Sequence, residues 1–146
     1  NLAAQALSSI GDFKRGLEHA SCAVMFDGRN PEILNTYGWL QYLEGDDEKA
    51  MAAFTDALRT DPENGDVLYN RGMVHFTCSR RQEAATDWEQ AITKGYQTAE
   101  VFNNLGVIRF DEQRFGEAQE LFQRALQIDP GYQEAQENLA ACDGRA

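Results

Sequence analysis

Residues 31–64 read PEILNTYGWLQYLEGDDEKAMAAFTDALRTDPEN, and their pattern of small, apolar and turn-forming residues returns in the next two blocks of 34 residues. Because five columns keep one register through three blocks, the period indicates an internal repeat. The columns are Gly38, Gly72 and Gly106; Ala50, Ala84 and Ala118; Ala57, Ala91 and Ala125; Leu34, Leu68 and Phe102; and Phe54, Trp88 and Phe122.

Each block predicts two helices joined by a turn. Within residues 31–64, apolar residues recur every three or four positions on both sides of Glu44-Gly45-Asp46-Asp47, a composition typical of a turn. Asp61-Pro62 predicts the end of the second helix, because proline disfavours a helical conformation in the residue before it. Each block is therefore predicted to form a helix hairpin, and Asp129-Pro130 ends the third in the same way.

Glycine in the middle of a first helix needs a reason, since it costs about 1 kcal/mol relative to alanine there. Close approach of the partner helix would justify Gly38, and we expect the first alanine column, which includes Ala50, to lie opposite the glycines. The second alanine column, which includes Ala57, is expected to let each second helix pack against the first helix of the next block. The chain is thus predicted to stack its hairpins in a row.

Length and charge narrow the class of protein. A chain of 146 residues suits one domain, and its formal net charge of −11 opposes binding to nucleic acid or to an anionic membrane surface. We find no apolar run long enough for a membrane span and expect no direct membrane insertion. The sequence begins with Asn1 rather than Met, so we expect a processed chain or a piece of a longer protein.

Three scattered cysteines, Cys22, Cys78 and Cys142, indicate free thiols rather than a disulfide framework or a zinc site. Free thiols favour a reducing compartment, and we expect a cytoplasmic location. A periplasmic location is the alternative if a signal peptide has been removed.

The columns resemble the tetratricopeptide repeat, whose signature runs Trp/Leu, Leu-Gly, Tyr, Ala, Phe, Ala and Pro over 34 residues. The resemblance implies an all-α, right-handed α-solenoid of stacked antiparallel helix hairpins, with residues 1–146 as a single domain. Its units are a partial repeat at 1–30, whose turn is Gly11-Asp12-Phe13, full repeats at 31–64, 65–98 and 99–132, and a C-terminal capping helix at 133–146. In that capping helix Ala135, Leu139 and Cys142 are expected to point inward and Asn138 outward, and Gly144 ends it.

Residues for catalysis or metal binding are not predicted. His19 and His75 are far apart in the sequence, and His75 is expected to be half-buried with its hydrogen bonds satisfied. We find no catalytic triad spacing and no glycine-rich phosphate loop. The acidic residues at 44–48 are expected to form a solvated turn rather than a calcium site. We predict no enzyme, no cofactor and no metal.

The resemblance implies that the first helix of each unit lines a concave groove through its second, fifth, ninth, twelfth and thirteenth places, with an amide column at the sixth. Aromatic residues and Met there would anchor apolar side chains of a partner, while Asn side chains would bond its backbone. The predicted partner-binding residues are Asn35, Trp39, Tyr42, Tyr69, Asn70, Met73, Phe76, Asn103, Asn104, Val107, Phe110 and Asn138.

The charge of the groove columns points to the chemistry of the partner. They contain no Lys or Arg, since Arg71 and Arg109 fall in columns that face the second helix, so a clamp for a partner's C-terminal carboxylate is disfavoured. The second place of each unit is acidic, which suits a helix N-terminus and could also select basic flanks on a partner. Residues 31–64 hold eight acidic and two basic residues, whereas 65–98 hold four of each.

These observations predict a non-enzymatic protein–protein interaction module that binds an extended or helical segment with apolar anchors, with or without basic flanks, as a scaffold, an adaptor or a chaperone-like protein. One alternative is a homo-oligomeric scaffold assembled through the open ends of the solenoid. At the N-terminal end, another copy would cover the apolar surface of Leu2, Leu7 and the side of the first unit near Phe13. Another is a regulatory domain of a larger protein.

Overall fold

The computed structural model describes the backbone of residues 2–144 and the side chains of residues 10–144. This part of the chain forms eight α-helices and no strand, so the predicted all-α fold is confirmed. The helices are α1 (Leu2–Phe26), α2 (Pro31–Glu44), α3 (Asp47–Thr60), α4 (Gly65–Thr77), α5 (Arg81–Thr93), α6 (Ala99–Asp111), α7 (Phe115–Ile128) and α8 (Gln133–Asp143). None of these helices combines the length and apolar character that a membrane span needs.

Three antiparallel hairpins, α2/α3, α4/α5 and α6/α7, stack into a right-handed α-solenoid. The turn predicted at residues 44–47 is present: Gly45 has φ of +89° and Asp46 caps α3 by accepting a hydrogen bond from the Lys49 N–H. Ser79 and Gln113 take the equivalent left-handed conformation in the next two turns, with φ of +61° and +62°. One backbone geometry therefore reverses the chain in all three hairpins.

The mid-helix glycines do permit close packing, but against the aromatic column rather than the alanine column. A Cβ built on Gly72 would lie 2.4 Å from Trp88 Nε1, and one built on Gly106 would lie 2.6 Å from Phe122 Cε1. The placement of the alanines directly opposite the glycines is thus wrong, because a flat ring edge fills the gap that the missing side chain leaves. Trp88 is fully buried there and its Nε1 donates to the Tyr69 carbonyl oxygen at 3.1 Å.

The N-terminal segment differs from the sequence prediction. Helix α1 runs without interruption through Gly11-Asp12-Phe13, so the turn expected there is wrong. In the three hairpins an aromatic ring on the second helix packs against a glycine on the first, whereas the equivalent position in α1 is Ala20. Without that packing, nothing offsets the hydrogen bonds gained by continuing the helix through good helix formers such as the Leu-Ala-Ala-Gln-Ala-Leu run.

The C-terminal helix ends as expected. Helix α8 stops at Asp143 and Gly144 supplies its C-cap. Ala135 and Cys142 are buried against the last hairpin, as predicted. Asn138, expected to point outward, is half-buried because its side chain is bonded to Asn103.

Candidate functional site

The first helices of successive units lie side by side and form one wall of the solenoid. Helix α2 contacts α4, and α6 contacts α8, in addition to the contacts within hairpins. Amide side chains bridge neighbouring first helices at equivalent positions. The bridges are Asn70 Nδ2 to Asn35 Oδ1 at 2.9 Å, Asn104 Nδ2 to Tyr69 Oη at 3.5 Å, and Asn138 Nδ2 to Asn103 Oδ1 at 2.9 Å.

These bridging amides, which we call the amide ladder, connect neighbouring first helices and still have donors and acceptors available for a ligand. The bond from Asn70 uses one of its two side-chain N–H donors, and its carbonyl oxygen is not part of that bond. Asn70, Asn104 and Asn138 are half-buried, so part of each amide reaches solvent. Asn103 is only 2% exposed, and its placement makes it a support that orients Asn138.

Aromatic and sulfur-containing side chains lie beside the ladder in the N-terminal half of the wall. The rings of Trp39 and Tyr42 are 5.4 Å apart, and the Tyr42 hydroxyl is 3.0 Å from Thr77 Oγ1 on the next first helix. Met73 Sδ lies 3.6 Å from Asn104 Nδ2. Trp39, Tyr42 and Met73 are all half-buried, which leaves apolar surface on the wall without placing it in the core.

The remaining aromatic residues are packed more tightly between units. The Tyr69 ring stacks on Tyr96 at 4.8 Å, and the Phe76 ring lies 5.6 Å from the Trp88 ring. Burial, then the neighbouring Tyr96, raises the pKa of Tyr69 well above its usual range, so its hydroxyl stays protonated. The Phe110 ring packs edge-on against Phe115 at 5.2 Å.

Five of the predicted residues meet in one depression at the C-terminal end of the wall, which we call the C-terminal pocket. It has a volume of about 270 Å³ and lies between α4, α6 and α8. Its lining consists of Phe76, Asn103, Asn104, Val107, Glu134, Glu137 and Asn138. The pocket therefore combines an apolar floor, three amides and two carboxylates that the sequence analysis had not assigned together.

The acidic column at the start of the first helices is exposed along its whole length. At α2, α4 and α6 the side chains of Asn30, Asn64 and Thr98 accept hydrogen bonds from the first N–H groups, whereas Tyr132 provides no side-chain cap at α8. The column consists of Glu32, Asp66, Glu100 and Glu134. Near its C-terminal end, burial and then the charge of Glu134 raise the pKa of Tyr132 to about 12.

A buried ion pair lies behind the wall, inside the α4/α5 hairpin. Arg71 donates to both carboxylate oxygens of Asp87, from Nε at 2.8 Å and from Nη2 at 2.6 Å. His75 Nε2 is 3.7 Å from the same carboxylate, and burial lowers the pKa of His75. The expectation that His75 is satisfied is wrong for Nδ1, which is buried without a hydrogen-bond partner.

Sequence reasoning missed Asp87, although two departures from the repeat could have revealed it. Asp87 stands where the other units have Ala53 and Leu121, and its partner Arg71 stands where they have Tyr37 and Leu105. A single charge in an apolar column has no partner, but two opposite charges facing one another across a hairpin form a pair.

Two larger depressions lie among the second helices, and some of the charges in and near them are paired. In the one of about 520 Å³ between α5 and α7, the buried Arg109 guanidinium contacts Glu89, Glu112 and Glu117. Burial opposes ionisation of Glu112, but hydrogen bonds from Gln82, Arg109 and Arg114 outweigh it and hold its pKa below its usual range. In the other, Lys49 and Arg59 nearby are paired with Asp46 and Asp56.

Among the described residues, no group of three or more His, Cys, Asp or Glu side chains is arranged to hold a metal ion. The three cysteines are free thiols and lie far apart in the sequence.

Stacked helix hairpins of this kind form an α-solenoid of the protein-interaction class. Family models for the tetratricopeptide repeat match residues 31–64 and 99–132, so the chain contains tetratricopeptide repeats (TPRs). A comparison with curated protein sequences found no significant match.

Solved structures with the same fold come from several TPR proteins. The crystal structure of MamA has a TM-score of 0.83 at 20% identity, over 94% of this chain and 81% of that one. The first TPR of Spaghetti (RPAP3) bound to the HSP90 peptide SRMEEVD has a TM-score of 0.74 at 23% identity, over 82% and 94%. The Arabidopsis OM64 TPR domain has a TM-score of 0.74 at 21% identity, over 80% and 96%.

Proposed function

We propose that this protein is a non-enzymatic module that binds a segment of a partner protein along the wall formed by α2, α4, α6 and α8. The observation that carries the proposal is the ninth-place column Trp39, Met73 and Val107. These three side chains occupy equivalent positions on successive first helices and are all half-buried, so an apolar stripe follows the wall. A partner that covers the stripe removes apolar surface from water, which is worth about 25 cal/mol per Å².

The amide ladder supports an extended or helical backbone beside this stripe. A partner's peptide groups lose water when they are covered, and they need donors and acceptors in exchange. Asn70 and Asn104 reach solvent next to Met73 and can supply both. The stripe thus supplies affinity and the amides fix the position of the bound segment.

The proposed partner differs in charge from the peptide bound in one of the similar structures. The HSP90 peptide SRMEEVD bound to the first TPR of Spaghetti (RPAP3) carries three acidic residues and one Arg. On this chain the predicted groove positions carry no Lys or Arg, and Glu32, Asp66 and Glu100 line the edge of the wall. An acidic peptide would meet like charges there, so the partner proposed here is apolar with neutral or basic flanks.

The test is a random-peptide display selection on the purified chain, followed by fluorescence polarisation with the selected peptides. Trp39→Ala with Met73→Ala should weaken binding by at least about thirtyfold, because truncation of a central aromatic anchor costs about 2 kcal/mol or more. A matched control is Phe26→Ala with Met25→Ala, an aromatic and a Met that are 98% and 88% exposed at the end of α1.

Far-UV circular dichroism should be unchanged in both variants, since neither pair is buried. Equal binding by the wild type and the Trp39/Met73 variant would reject the wall as the binding site. A loss of binding in the Phe26/Met25 control would move the site to α1.

A second candidate function is self-association through the N-terminal end. The observation in its favour is the exposure of Met25 and Phe26 together with Ile10, which is 53% exposed. The side chains of Leu2 and Leu7, which were also expected to contribute, lie outside the described residues. Sedimentation velocity over a concentration series tests this candidate, and a single monomer species at every concentration would exclude it.

A further inference from the structure

We propose that the C-terminal pocket is a subsite for a Lys or Arg side chain of the bound segment. This inference rests on the proposed function, because it places one residue of the partner within the same wall. It assigns a chemical class of side chain to a position that the apolar stripe does not explain.

Among the side chains of residues 10–144, the two carboxylates of the pocket have no cationic partner. Over residues 10–144, no Lys, Arg or His nitrogen lies within 4.0 Å of Glu134 or Glu137. Their recorded contacts are neutral: the Tyr132 hydroxyl donates to Glu134 at 3.2 Å, and Gln133 Nε2 donates to Glu137 at 2.7 Å. Both carboxylates are exposed and open to a new partner.

Some acidic residues elsewhere on the solenoid do have cationic partners. Glu89 and Glu117 pair with Arg109, Asp111 pairs with Arg81, and Glu63 pairs with Lys94. These basic residues neutralise part of the negative charge on the second helices and in the turns. In the C-terminal pocket, by contrast, negative charge meets a depression on the wall and no counter-charge is present among the described side chains.

The rest of the lining suits a long side chain with a charged end. Phe76 and Val107 offer an apolar floor for an aliphatic stem, and the carboxylates at the rim can receive the head group. Asn104 and Asn138 also line the pocket and can bond the adjacent backbone or the head group itself. A volume of about 270 Å³ accommodates one such side chain but not a folded element.

One nearby cation does not cancel this charge. The Arg81 guanidinium lies over the Phe76 ring, 5.7 Å from its centroid, but it is held by the carboxylate of Asp111. Both acidic residues of the pocket come from the first two turns of helix α8, which contain no basic residue. The pocket therefore attracts a cation from the partner rather than an anion.

The experiment is the display selection repeated on Glu134→Gln/Glu137→Gln. The matched control is Glu48→Gln/Glu120→Gln, which removes the same charge from exposed sites on α3 and α7. Peptides selected on the wild type should share a Lys or Arg at a constant distance from an apolar anchor, and the selection on the pocket variant should lose that residue but keep the anchor.

Affinity measurements on one selected peptide make the test quantitative. Replacing its conserved Lys or Arg by Gln should weaken binding to the wild type about tenfold, the sum of two solvent-exposed ion pairs. The same replacement should have no effect on binding to Glu134→Gln/Glu137→Gln, and its full effect on binding to the control variant.

The outcomes separate the two proposals. Selected peptides with apolar anchors and no conserved basic residue overturn the subsite while the proposed function stands. A basic residue whose effect falls equally in the control variant reflects the general negative charge, and also overturns the subsite. A conserved basic residue that depends on Glu134 and Glu137, in peptides that bind the Trp39/Met73 variant unchanged, supports the subsite and rejects the apolar stripe. A selection without binders overturns both.

Discussion

Gly106→Ala tests whether the glycine column exists to admit an aromatic ring. An added Cβ would lie 2.6 Å from Phe122 Cε1, 2.9 Å from Cδ1 and 3.1 Å from Cζ. Ordinary contacts of this kind are 3.4 Å or longer, so the ring or the helix must move by most of an ångström. Phe122 is 1% exposed and packs with Ala118 and Cys142, which leaves the ring little room.

The expected magnitude is a balance of two effects. Overpacking in a core typically costs about 1–3 kcal/mol. The gain in helix propensity from Gly to Ala returns up to about 1 kcal/mol. Gly106→Ala should therefore lower the free energy of unfolding by about 1–2 kcal/mol, measured by urea denaturation followed by far-UV circular dichroism.

Gly116→Ala is the matched control in the same hairpin. Nothing lies within 4 Å of a Cβ built on Gly116, so the substitution has the propensity gain without the clash. It should be neutral or slightly stabilising. The reasoning is refuted if Gly106→Ala is as well tolerated as Gly116→Ala. Adding Phe122→Leu should make Gly106→Ala less costly, because the smaller side chain relieves the overlap.

Two further predictions concern the buried ion pair and the N-terminal helix. Asp87→Ala should lower the free energy of unfolding by about 3–5 kcal/mol, because it leaves the Arg71 guanidinium without its carboxylate inside the hairpin. Urea denaturation measures this change. A loss below about 1 kcal/mol would mean that solvent reaches Arg71. Gly11→Ala should increase helicity and stabilise α1 by up to about 1 kcal/mol, since no atom lies within 4 Å of an added Cβ. Circular dichroism checks it, and a decrease in helicity would favour the turn that the sequence predicted at Gly11.

The repeat could be predicted because its evidence is redundant. Gly38, Gly72 and Gly106 share a register with two alanine columns, and a period set by many positions tolerates exceptions such as Tyr96 in place of proline. Helix boundaries followed from local chemistry, as at Gly45, where a left-handed residue closes the turn. These features are set by residues close in sequence or repeated along it.

Features that depend on one specific packing partner could not be predicted in the same way. Gly11-Asp12 has the composition of a turn, but each turn that forms is accompanied by a ring such as Phe54 packed against the preceding helix, and Ala20 supplies no such ring. Spacing also could not tell which column faces the glycines, since Ala50 and Phe54 lie on the same side of α3 one turn apart. Shape determines which side chain contacts the glycine: the edge of the flat Phe54 ring fits into the space left by the missing side chain of Gly38.

The candidate site was predicted in part for the same reasons. Its columns follow from the period, so Trp39, Met73 and Val107 could be grouped before any geometry was known. The sequence does not show which polar side chains are hydrogen-bonded or ion-paired. Whether Asn103 is free or bonded, and whether Glu134 has a counter-ion, depends on side chains in other units.

The ion pairs show where the negative charge of the chain is balanced and where it is not. On the outer face and in the turns, carboxylates such as Glu117 and Asp111 are matched by Arg109, Arg114 and Arg81. The charge that remains unmatched includes the first turns of the helices that form the inner wall. Negative charge there attracts basic segments over about 8–10 Å at ordinary ionic strength, whereas apolar contact acts only at van der Waals distance. The proposed wall thus divides recognition into two parts, with the acidic edge favouring the encounter and the apolar stripe retaining the segment once it has docked.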